Sequence, residues 1–139
     1  MKARKQKFIN FTRDEEINIP SIDKQHFNMS RLINKISDGV ESKNQPEINR
    51  TLTALLNLLE KHFLLEEKLM KDTKFPGYIS HKLEHDRFYE KIKNISSNYQ
   101  KNNSILDSKL LIEIRNWFFN HIELSDKKCG EHFVAIGIK

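Results

Sequence analysis

The side chains of this chain best equipped for chemistry are histidines at helical spacing. His62-x-x-x-Glu66 and His81-x-x-x-His85 are both i, i+4 pairs. Side chains four apart lie one above the other on one helix face, so both members of a pair can reach one centre. His26 and His121 occur singly, and Asp126 follows His121 by five residues. Five residues advance an ideal helix by about 500°, leaving Asp126 about 140° off the face of His121. If Asp126 joins the others, the helix should be locally irregular there, a widened turn being one such form. Burying such groups unpaired costs roughly 1–3 kcal/mol each. A metal ion offsets that cost, because its ligands are deprotonated imidazole and carboxylate. One histidine on an apolar stripe is usually a satisfied core residue. Five spread over four stripes, with a carboxylate in register, point instead to a metal.

The elements that must position these residues are helices. The first stripe is Ile22, His26, Met29, Ile33, Ile36 and Val40; the second is Ile48, Leu52, Leu55, Leu59, His62, Glu66 and Leu69. The third is Tyr78, His81, His85, Phe88, Ile92, Ile95 and Tyr99; the fourth is Leu110, Ile114, Trp117, His121 and Leu124. Steps of three and four mark the inward face of an amphipathic helix. Pro20, Gly39, Pro46, Pro76-Gly77, the stretch 102–107 and Gly130 punctuate the stripes as starts and stops. Short connections make neighbours antiparallel, so the expected fold is all-α, an up-down-up-down four-helix bundle. Residues 1 to about 18 read as an N-terminal arm packing through Phe8, Ile9 and Phe11.

Composition narrows the classes. The 139 residues amount to one domain, expected to span 1–139. The one cysteine, Cys129, excludes an internal disulfide framework and any multi-cysteine metal site. Cys129 reads as an ordinary buried or half-buried thiol, and His132, beyond Gly130, as a surface residue. With only four Gly and three Pro, a turn-rich sandwich or barrel is not expected. No stretch approaches a membrane span, and no apolar run follows the basic start Met1–Lys7, so the expected location is cytoplasmic. The net charge of +5 comes from scattered lysines, with no clustered arginine and aromatic face for nucleic acid.

Five imidazoles and two carboxylates exceed what one tetrahedral zinc takes, and suit two six-coordinate ions bridged by carboxylate. Imidazole with carboxylate and open positions points to iron and small oxygen species, with manganese or zinc as mistaken occupants.

The joint pattern Ile22-Asp-Lys-Gln-His26, His62-Phe-Leu-Leu-Glu66, Phe75-Pro-Gly-Tyr-Ile-Ser-His81-Lys-Leu-Glu-His85 and Trp117-Phe-Phe-Asn-His121-Ile-Glu-Leu-Ser-Asp126 resembles the hemerythrins, most closely the single-domain bacterial ones. The match runs from about residue 10 to 130, and every ligand position of the family is present in order. The resemblance implies a non-haem di-iron centre with a solvent-derived oxo or hydroxo bridge. His81, His85 and His121 would hold a coordinatively full iron, and His26 and His62 an iron with an open position. Glu66 and Asp126 would bridge the two. It further implies reversible O2 binding, for storage, delivery or buffering, with O2 held as hydroperoxide on the open iron.

The same resemblance implies a ligand pocket of Phe63, Trp117, Phe118 and Ile122. Phe118 departs from the smaller aliphatic residue common there, and Phe11 stands where the family often has tryptophan. Gln25, Glu67 and Asn120 are expected to hold the outer imidazole nitrogens. Neutral imidazoles outnumber carboxylates, which disfavours high-valent iron and O–O cleavage; a carrier, not an enzyme, is therefore expected. The alternatives are an O2, redox or iron sensor read by a separate protein partner, and a di-iron oxidase, peroxidase or nitric-oxide scavenger.

Overall fold

The computed structural model describes residues 7–101 and 106–138. Helices α1 (Pro20–Ser42), α2 (Gln45–Asp72), α3 (Tyr78–Gln100) and α4 (Ser108–His121) form an antiparallel four-helix bundle. A π turn, Ile122–Asp126, carries α4 without a break into α5, Lys127–Ala135. Among the described residues, no helix is long and apolar enough to cross a membrane. The expectations for Met1–Gln6 and for 102–105 lie outside the described residues.

Local chemistry sets the ends. Pro20 opens α1, where its missing N–H costs nothing. Lys43 takes a left-handed conformation (φ 57°), and the Asn44 N–H reaches back to the Gly39 carbonyl at 2.9 Å. The Asn44 Oδ1 then caps α2 by accepting from the Glu47 N–H. This two-residue link reverses the chain and lays α2 against α1. Gly39 is required there, because a Cβ would stand 2.8 Å from Ile48 Cγ1. Asp107 caps α4 by accepting from the Leu110 N–H at 2.9 Å.

The arm is fastened as expected. Ile9 donates its N–H to Asn34 Oδ1 (2.6 Å) and accepts from Asn34 Nδ2 at its carbonyl (2.9 Å). Ile9 is buried, and Phe8 and Phe11 pack half-buried on the bundle.

Several positions differ from the sequence reading. Gly130 does not stop the fourth helix; it lies buried within α5, and a Cβ there would meet Ile17 Cβ and its carbonyl oxygen at 2.8 Å. Because the helix continues, His132 is half-buried rather than on the surface: its Nε2–H points at Thr73 Oγ1 (3.0 Å) and the Thr73 carbonyl (3.2 Å). Leu124 is 63% exposed, since the π turn shifts the inward phase to Ile122 and Asp126. At the end of α2 the buried residue is Met70, with Leu69 only partly covered. Val40, Tyr78, Tyr99 and Leu110 are likewise only half-buried, at the stripe ends.

Buried apolar residues fall into two clusters. The larger runs along the bundle through Ile33, Leu52, Leu55, Ile92 and Ile114. The smaller closes one end with Ile17, Ile19, Ile22, Met70, Cys129 and Phe133. Along α1 the order is Ile22, His26, Met29, and along α2 it is Phe63, Glu66, Met70, so a polar layer separates the two clusters.

Candidate metal centre

All seven residues singled out by spacing lie in that layer, and all are buried. The rings link the helices in a circuit. His26 of α1 lies 4.6 Å from His62 of α2, centroid to centroid. His62 lies 6.4 Å from His85 of α3, and His85 lies 5.0 Å from His121 of α4. His26 also lies 6.4 Å from Phe118 of α4, which closes the circuit.

Asp126 reaches this circuit because the helix widens. The Lys127 N–H bonds to the Ile122 carbonyl, an i to i+5 step, which brings Asp126 back over His121. Its Oδ1 lies 3.0 Å from His121 Nε2 and 2.9 Å from His81 Nε2; its Oδ2 lies 3.0 Å from His26 Nε2. Glu66 sits across from it. Its Oε1 lies 2.5 Å from His81 Nε2 and 3.4 Å from His85 Nε2, and its Oε2 lies 3.1 Å from His62 Nε2.

The outer nitrogens fix the inner ones. His62 donates Nδ1–H to Gln25 Oε1 (2.7 Å), and His85 donates Nδ1–H to Glu67 Oε2 (2.9 Å). In the neutral ring this leaves the Nε2 lone pair facing the centre. Asn120, the third expected partner, is exposed and takes no such part. It lies beside His121 on the helix and so points about 100° away. The group nearest His121 Nδ1 is the Glu84 carboxylate at 3.4 Å, which also accepts from Ser125 Oγ at 2.7 Å. These contacts hold Glu84 down to about 2: His121 outweighs the opposing effect of burial, and Ser125 adds to it. Glu84 stands between His81 and His85 in sequence but serves His121 of α4, a pairing that sequence spacing does not set.

The residues fit a metal. All four oxygens of Glu66 and Asp126 are buried without an aligned hydrogen-bond donor, and so is His81 Nε2. Buried polar groups are rarely left so. The Nε2 atoms of His26 and His62 are 3.2 Å apart, as are those of His85 and His121. Two nitrogens at right angles around one ion, each about 2.1 Å away, would be about 3.0 Å apart. Among the described residues the donor atoms sort into two groups, each within 4.8 Å: Glu66, His81, His85, His121 and Asp126, and His26, His62, Glu66 and Asp126. The two carboxylates are common to both.

The site also favours positive charge. Burial and the mutual repulsion of Glu66 and Asp126 would raise Glu66, yet His62 and His81 hold it below the usual carboxylate range. Asp126 is lowered too, because His121, His26 and His81 outweigh its burial. Burial would depress His81 and His121, but the two carboxylates prevail and, without a metal, raise them to about 9 and about 10. His62 goes the other way, since burial outweighs Glu66. Burial drives the Cys129 thiol upward, with Glu66 and Asp126 adding to it, so it stays an inert thiol.

Phe63, Trp117, Phe118 and Ile122 surround a pocket of about 10 Å³ beside His26 and His62, with Met29 as a further wall. That volume is about one water's worth. Trp117 stacks flat on His121 (4.6 Å, 9°) and Phe88 (3.6 Å, 5°), and Phe63 stacks on His85 (3.9 Å, 10°). Phe11 of the arm lies 6.4 Å from His26.

Comparison with known proteins gives one consistent outcome. The family model for the hemerythrin HHE cation binding domain matches residues 18–131. The chain is 27% identical over 113 residues to the bacteriohemerythrin of Methylococcus capsulatus, covering 81% of this chain and 86% of that one. It is 30% identical over 112 residues to that of Aquifex aeolicus, covering 79% and 86%. The myohemerythrin of Theromyzon tessulatum is 28% identical over 113 residues, covering 81% and 83%. A crystal structure of wild-type hemerythrin superposes with a TM-score of 0.84 at 26% identity, covering 89% of this chain and 96% of that one.

Proposed function

The chain belongs to the hemerythrin family, and from that premise we propose that it binds dioxygen reversibly at a non-haem di-iron centre. The observation that carries this reading is the set of orphaned Glu66 and Asp126 oxygens facing the histidine Nε2 atoms beside a small pocket with apolar outer walls. On this reading 1–139 is one hemerythrin-like domain, in which His81, His85 and His121 hold one iron and His26 and His62 the other. Glu66 and Asp126 are the residues common to both. A ferrous pair, when bound, supplies the two electrons that dioxygen takes up on binding and returns on release.

The chain's own residues favour binding over reaction. Gln25 and Glu67 hold His62 and His85 as neutral donors with fixed orientation. Met29, Phe63, Phe118 and Ile122 keep water and proton donors from the pocket beside His26 and His62. Glu84 and Ser125, polar side chains beside His121, border a different cavity, next to His81. A ligand seated in the dry pocket therefore receives few protons, and this supports a carrier over an oxidase.

The test is optical. Iron-loaded protein exposed to air should gain a visible absorption band that disappears under vacuum and returns over repeated cycles. Irreversible bleaching on the first exposure, or steady oxygen consumption with a reductant, would overturn the carrier reading.

A further inference from the structure

Among the described residues, a small pocket beside His26 and His62 and a larger cavity beside His81 both border the polar layer, and they share no lining residue. The first holds about 10 Å³, with Met29, Phe118 and Ile122 among its apolar walls and His26, His62 and Asp126 among its polar ones. The second holds about 190 Å³ and opens between the start of α3 and the π turn, lined by Ser80, His81, Glu84, Leu124, Ser125 and Lys128 among others. On the same measure it is far larger than the one-water pocket and has room for several waters. Its inner wall includes His81, 3% exposed, whose Nε2 lacks a hydrogen-bond partner. Its mouth includes Glu84, whose side chain is 41% exposed. The Ser125 hydroxyl holds this carboxylate at 2.7 Å, within 3.4 Å of His121 Nδ1.

A divalent ion enters a protein clothed in water and must exchange that water for protein donors. The pocket beside His26 and His62, at about 10 Å³, is too small to pass an ion with its water, and stripping that water first would cost several kcal/mol. We propose that the polar cavity is the port by which the metal reaches the centre, with Glu84 as the exchanging carboxylate at its mouth. The ion trades waters for the Glu84 oxygens, then passes to His81 and inward. Lys128, on the same wall, opposes the entering charge. The port and the dry pocket divide the traffic: ions by one, a small neutral ligand by the other. This inference rests on the layer being the metal centre. The amount of metal bound tests that reading, and the rate of binding tests the port.

The experiment mixes metal-free full-length protein with cobalt(II) in a stopped-flow instrument and follows the cobalt ligand-field absorption. Glu84→Gln, whose amide oxygen still accepts from Ser125, should load at least fivefold more slowly than the unsubstituted chain. Lys128→Gln should load about twofold faster. Glu90→Gln, on the α2–α3 groove away from the port, should load at the unsubstituted rate. Loading of Glu84→Gln at the unsubstituted rate, or equal slowing by Glu90→Gln, would overturn the proposal. Should Glu84→Gln fail to fold, the exposed Lys128→Gln change decides: no acceleration overturns the port. An unsubstituted chain that takes up no cobalt would overturn both the port and the metal centre.

Discussion

The two apolar clusters on either side of the polar layer differ in what holds them together. The larger draws on long stretches of all four bundle helices, from Ile33 and Leu52 to Ile92 and Ile114. The smaller is assembled from pieces: arm residues Ile17 and Ile19, Ile22 at the start of α1, Met70 at the end of α2, and Cys129 and Phe133 of α5. Small cores bury too little to stand alone and are commonly stapled by a metal or a disulfide. Here the staple is the polar layer itself. Loss of metal should therefore be felt unequally, strongly in the small end and weakly in the long bundle.

The largest effect should come from breaking the layer. In iron-loaded protein, Glu66→Ala should lower the iron content below two per chain and destabilise the fold by roughly 3–5 kcal/mol. Metal analysis with thermal unfolding checks this; unchanged iron content would remove the staple from the account.

Next comes a break in the small end that leaves the layer alone. Gly130→Ala sets a methyl group against Ile17 and should cost about 1–3 kcal/mol, with iron content kept. A variant as stable as the unsubstituted chain would show that the arm yields freely, and that the small cluster is looser than its packing implies.

Chelation sharpens the comparison further. After iron removal, amides of 17–22 and 129–133 should exchange with deuterium about tenfold faster, and those near Leu52 and Ile92 should change little. Uniform acceleration would contradict the division into two clusters. The metal-free chain should also respond to alkali. His81 and His121 stand at about 9 and about 10, above an unfolded value of about 6.5. Their stabilisation is complete below about pH 6.5 and is lost as pH rises through those values. Glu66, Asp126 and His62, all lowered, act only at the acid end. The Tm of metal-free protein should fall between about pH 6.5 and 10, and that of iron-loaded protein, whose imidazoles carry no such protons, should hold steady.

The smallest effect on stability belongs to the large cluster. Phe118→Leu removes part of a ring from the wall of the dry pocket, at about 1 kcal/mol. Oxygen association, followed by flash photolysis, should rise several-fold. An unchanged rate would place the entry barrier elsewhere.

Much of this was legible in the sequence because periodicity is local. Steps of three and four put His26, His62, Glu66, His81, His85 and His121 on inward faces, and the five-residue gap before Asp126 called for a local irregularity, which the structure supplies as a widened turn. The consequence of that turn for Leu124 was missed, since the stripe was extended at constant phase. Gly130 read as a stop because glycine commonly follows a helix. Only the approach of Ile17, distant in sequence, explains a glycine inside one. Met29 and Glu84 were not singled out as site residues, because their roles depend on which helices face each other. Gln25 and Glu67 were found because each adjoins a histidine or carboxylate of the layer; the same logic failed at Asn120, which adjoins His121 but faces outward.

The central claim, that seven buried side chains grip a pair of irons, is tested most directly by titrating metal-free protein with ferrous iron under strict exclusion of oxygen. The account predicts a sharp break at two irons per chain, missing its second half when His26 and His62 are both replaced by alanine. A break at one, or no saturable uptake, would contradict it.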